Sequence, residues 1–116
     1  MFVILPPSTA WSQSQSEMNE MAQVSLEKAD KRLNAVYQKL LSKRAGEKVF
    51  CDTLRMAQRA WLKFVDLHMQ SVFPLSENEN PHQVHGSMYP LDYAEEKRTL
   101  VEERTRQLES LLNRAQ

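Results

Sequence analysis

His82 and His85 stand three residues apart in a proline-rich stretch, with Met88 close behind them and His68 further upstream. Imidazole and thioether together are a donor set that suits copper. Two histidines in a polar stretch are more often merely solvated, so neither a metal nor a cofactor is assigned to them. A second set of residues has chemistry worth weighing because its charges fall where apolar side chains belong. Asp30 lies between Leu26, Leu33 and Tyr37; Arg104 lies between Leu100, Val101, Leu108 and Leu111; Asp66 follows Val65. Two aspartates can serve as an acid and base pair, but an arginine beside them would hold both ionised and unfit to donate a proton. An unpaired buried charge costs several kcal/mol, so the expectation is structural: Arg104 pairs with Asp30 or Asp66 across neighbouring helices. No nucleophile is accompanied by a base, and no metal cage is present, so the sequence reads as a binding protein and not an enzyme.

Those residues need elements to hold them. At 116 residues the chain suits one domain, and with 41% hydrophobic residues it can bury roughly 65% of its extended surface without covalent staples. Cys51 is the only cysteine, which excludes an internal disulfide and a cysteine zinc site. Fifteen basic and fifteen acidic residues leave no net charge, so nothing draws the chain to nucleic acid. The two glycines, Gly46 and Gly86, are too few for a phosphate-binding loop.

Apolar positions recur every three or four residues from Met18 to Leu41, again from Phe50 to Val72, and again from Leu100 to Ala115, which predicts three amphipathic helices. The first begins at Ser14, spaced from Glu17 as in a capping box, and ends before Gly46. The second spans about residues 47–73 and stops at Pro74. The third starts near Asp92 as its N-cap. The short first connection makes helices one and two an antiparallel hairpin. The fold class is therefore all-α: a three-helix bundle with a long helical hairpin and an irregular loop, residues 74–91, before the C-terminal helix. Residues 1–13 form a disordered extension or the remnant of a signal peptide; residues 14–116 form a single helical domain. No apolar run is long enough to span a membrane.

Within that frame Asn34, Tyr37, Gln58 and Trp61 make a core signature. Trp61 supplies a large buried area at the middle of the second helix, and its indole N–H needs a polar neighbour such as Gln58 or a backbone carbonyl. The loop is long for a compact domain, and loops of that length are commonly functional. Glu77, Glu79, His82, His85 and Tyr89 are its candidate partner contacts.

The order of these residues resembles the LprI-like lysozyme inhibitor family, small helical domains exported by bacteria. The likeness begins at SQSEMNEMA, residues 14–22, and runs through ADKRLNAVYQKL, with Ala29, Asp30, Leu33, Asn34, Tyr37 and Leu40. It is tightest at LRMAQRAWLKFVD, with Leu54, Ala57, Gln58, Arg59, Ala60, Trp61, Phe64 and Asp66, and resumes at HGSM and at LVEERTRQL with Arg104 and Leu108. The chain departs from the family at Met21, Met69 and Glu96, where cysteines are usual, and at Val65, Val101 and His85, where arginine, threonine and glycine are usual. The disulfide implied by the family is therefore missing.

The resemblance implies binding of a lysozyme or other muramidase, and a periplasmic or secreted location. The loop is the element suited to fill such an enzyme's cleft, with its acidic residues facing a basic partner. The alternative is a helical interaction or structural module without a hydrolase target, cytoplasmic in keeping with the missing cysteines and the incomplete export signal.

Overall fold

The computed structural model describes the backbone of residues 7–114 and the side chains of residues 14–114. Four helices carry it: α1 (Pro7–Lys43), α2 (Lys48–Val72), α3 (Pro81–His85) and α4 (Tyr89–Arg114). Among the described residues there is no strand, and the all-α expectation holds. Among the described residues no helix is long and apolar enough to cross a membrane.

α1 opens at Pro7, earlier than the predicted start at Ser14. Proline suits a first turn because its missing N–H would have no partner there. Ser14 and Glu17 thus lie inside a running helix and cap nothing. Residues 7–13 belong to α1, while residues 1–6 of the expected extension lie outside the described residues. α1 ends at Lys43, and the turn that follows is closed by Arg44, which grips Glu47 through two hydrogen bonds of 2.8 and 2.7 Å. Gly46 is not in the left-handed region, so it is not the helix cap that its position suggested. Cys51, buried at the start of α2, donates its thiol to the Arg44 carbonyl at 3.2 Å. Its burial puts it out of reach of a second chain.

The principal packing partner of α1 is α4, not α2; α2 rests more lightly on α4, and α1 and α2 make only sparse direct approach. Side-chain size accounts for this. Among its leucines the inward stripe of α1 carries Ala22 and Ala29, and that of α4 carries Ala94, Val101 and Thr105, so the two backbones come close. α2 brings Phe50, Gln58, Trp61 and Met69, which hold it further off. The expected hairpin exists as a short connection, while the main seam joins the first and last helices. Leu40, Val101 and Leu108 are the most deeply buried side chains. They belong to a core shared by α1, α2 and α4, and a smaller cluster of Val65, Met69 and Leu100 joins α2 to α4; Trp61 packs against both. The buried hydroxyl of Thr105 donates to Val101 one turn back.

The result is thin and long, 67 × 41 × 16 Å.

Candidate functional site

α2 stops because Pro74 follows Phe73, whose N–H closes the last turn on the Met69 carbonyl at 2.9 Å. The chain then turns at Ser76–Glu79, where Asn78 takes a positive φ of 67°, as asparagine tolerates. The Glu79 carboxylate accepts from the Ser76 N–H at 2.7 Å, so this residue clamps the turn. Glu77 beside it is exposed.

The next residues fold where the sequence predicted an irregular loop. Asn80 caps α3 by accepting from the N–H groups of His82 and Gln83, at 2.9 and 3.3 Å, and Pro81 occupies the first turn. Gly86 ends it at φ 88° and ψ −178°, a region effectively reserved for glycine. α4 then starts at Tyr89, three residues before the predicted Asp92. Asp92 sits in its first turn, where a carboxylate complements the helix dipole.

An aromatic cluster fixes this stretch to the helix ends. Tyr89 stacks on His85, with ring centres 5.7 Å apart, and meets Phe73 edge-on at 5.3 Å. Phe73 also meets His85 edge-on at 5.6 Å, and Tyr93 and His82 lie against Tyr89 at 5.6 and 6.1 Å. The His85 ring nitrogen Nε2 lies 3.0 Å from the Pro74 carbonyl oxygen. His82, His85 and Tyr89 are therefore brought together as a packing unit. Burial raises the Tyr89 hydroxyl above its ordinary pKa. Leu75, Val84 and Met88 stay outside the cluster and expose much of their apolar surface.

The polar residues of the helices are arranged otherwise than expected. Arg104 does not reach an aspartate: its Nε donates to Gln58 Oε1 at 3.0 Å, and its Nη1 donates to Gln107 at 2.9 Å. Gln58 is buried at 8% exposure, so a neutral acceptor satisfies the arginine and no carboxylate has to be stripped of water beside it. Burial lowers the pKa of the Arg104 guanidinium. Asp66 is exposed and accepts from Gln70 on its own helix. Asp30 is half-buried, and the desolvation of its carboxylate raises its pKa against the opposing pull of Lys97. Gln58 turns to Arg104 and not to the indole of Trp61, for which it was one of two expected neighbours beside a backbone carbonyl.

Asp30, Asn34, Tyr37, Gln58 and Trp61 nevertheless converge, for all five line one open groove between α1 and α2, with a volume of about 390 Å³. The signature is thus not all core: Asn34 is exposed, and Tyr37 and Trp61 are half-buried. Arg55 and Arg59 add two cations to its α2 wall, residues that the apolar stripe gave no reason to single out. Among the described residues, no three His, Cys, Asp or Glu side chains gather as metal ligands do.

A family model described as Lysozyme inhibitor LprI matches residues 8–108. The chain belongs to this family. No curated protein and no solved structure matches it.

The positions at which the resemblance to the LprI family implied cysteines are filled in distinct ways. Met69 is buried between α2 and α4, and Met21 is exposed on α1. Glu96 lies 2.9 Å from His68 across the same α2 and α4 pair, so an imidazole–carboxylate bond ties two helices in this LprI chain. Only the packing of α4 against α2 reveals this partner of His68.

Proposed function

We propose that this LprI-family protein acts in the bacterial periplasm or outside the cell, where it inhibits lysozyme-type muramidases by seating its 74–91 segment in their cleft. The match to the family over residues 8–108 carries this reading. Lysozymes work through two carboxylates in an open cleft, so an inhibitor has only to occupy that cleft and keep substrate out.

The segment suits the task. The capped α3, the Gly86 turn and the Phe73–His85–Tyr89 cluster hold it in shape, so little conformational entropy is lost on binding. Leu75, Val84 and Met88 offer apolar anchors, and residues 74–91 contain two glutamates and neither lysine nor arginine. That local acidity speeds encounter with a basic enzyme. Glu79 is already committed to its turn, which makes Glu77 the acidic contact.

The experiment compares lysis of bacterial cell walls by several lysozymes in the presence of the native protein, Glu77→Lys and Val84→Asp. Both side chains are exposed, so circular dichroism stays native. Inhibition falls about tenfold or more with Val84→Asp, as for an interface anchor, and its salt dependence weakens with Glu77→Lys. Undiminished inhibition by both variants excludes this segment as the inhibitory surface.

A further inference from the structure

We infer that the groove between α1 and α2 is a binding site for a pyranose sugar with equatorial hydroxyls. This goes beyond muramidase inhibition and does not rest on it. The groove lies along residues 55–62 of α2, while the 74–91 segment begins beyond that helix's other end, a separation of roughly 15 Å at the helical rise.

The groove combines the two kinds of surface that a sugar ring requires. A pyranose with equatorial hydroxyls turns apolar C–H faces above and below the ring, and flat aromatic rings cover such faces with little loss of rotamer freedom. Tyr37 and Trp61 stand one on each wall, both half-buried and both with ring surface left to offer. Trp61 is braced from behind by the two core clusters, so its position is set before any ligand arrives.

The ring's edge is a row of hydroxyls that donate and accept at once, and each one buried without a partner costs about 1–3 kcal/mol. Carboxamides answer both needs. Asn34 and Gln38 from α1 and Gln58 from α2 supply three of them in one groove. One lone pair of the Gln58 oxygen is committed to Arg104, which fixes the plane of the amide and leaves its N–H groups for a ligand. Asp30 can accept from two neighbouring hydroxyls, and Arg55 and Arg59 can donate to ring or acetamido oxygens. The Asp30 carboxylate in the lining disfavours a phosphate. The volume, about 390 Å³, lies in the range of small-molecule sites and has room for a pyranose ring with its substituents.

The test uses the full chain carrying Trp11→Phe, so that Trp61 is the sole tryptophan. It is titrated with chitotriose and, separately, with cellotriose, which distinguish an acetamido sugar from a plain one. Saturable change in Trp61 emission is expected with one or both. Asn34→Ala/Gln38→Ala, at two exposed positions, weakens the binding by about tenfold or more, as the loss of one or two hydrogen bonds would. Amide chemical shifts of the native protein then move at residues 30–38 and 55–62. Absence of saturation with either sugar up to its solubility limit overturns the assignment, as does binding that the double variant leaves unchanged or whose shifts fall elsewhere.

Discussion

A half-buried arginine that leans on a buried glutamine makes a sharp prediction. Removing the acceptor in Gln58→Leu leaves the Arg104 guanidinium without its interhelical partner and costs about 1–3 kcal/mol. Combining it with Arg104→Met restores much of that loss, because two apolar side chains in contact need no hydrogen bond. Urea unfolding of the two variants and the native chain measures the difference. The sequence made it legible that Arg104 needs company, since it sits among leucines. Which residue supplies it depends on how α2 and α4 are rotated about their axes, which periodicity along one helix does not record. Asp30 carries a pH dependence. Burial raises its folded pKa above the unfolded value, so the neutral carboxyl fits the fold without penalty. The cost appears as pH rises through the folded pKa. Asp30→Asn is therefore expected to raise the melting temperature at pH 7, with the advantage over the native chain fading as pH falls below the ordinary carboxylate range. An advantage that grows toward acid would contradict the assigned cause. Asn34 and Tyr37 share its groove: Asn34 is exposed, while Tyr37 packs against the core and stays half-buried because α2 covers that side of α1 only in part.

Elements were the most readable part of the chain. Apolar spacing placed α2 within a residue at each end, and Pro74 and the polar stretch behind it marked the break before α4. Spacing shows which face of a helix is buried, but not what buries it. The small residues Ala22 and Ala29 were the available sign that α1 would admit another backbone closely, and Ala94 on the last helix was its counterpart. The 74–91 segment hid its order because its one helix, capped by Asn80 and Pro81, is a single turn too short to show a period, and because its aromatic mount draws on Phe73 and Tyr93 outside the segment. The two glycines separate real turn chemistry from apparent turn chemistry. Gly46 has a φ that other residues adopt and open space where a Cβ would stand, so Gly46→Ala stabilises by about 0.4–1 kcal/mol through the unfolded chain. Gly86 has the same open space but a φ of 88°, so Gly86→Ala costs about 1–3 kcal/mol and loosens the mount of α3. Denaturant midpoints that move in opposite directions are the expected result.

At the scale of the molecule, a radius of gyration of 19.3 Å far exceeds the roughly 13 Å of a compact chain this long. Surface is left uncovered on both counts that matter here: a groove where α2 stands away from α1, and a shaped segment projecting from the far end of α2. Among the described residues it holds no cluster of metal ligands, and its family is one of lysozyme inhibitors. The most direct measurement is the clearing rate of a suspension of bacterial walls by a basic lysozyme as the purified protein is added. The rate should fall to a plateau as the protein reaches stoichiometric excess, and fall much less with Val84→Asp. Clearing that proceeds at full speed with every lysozyme tried, at any excess of the native protein, would contradict the assignment of inhibition to this chain.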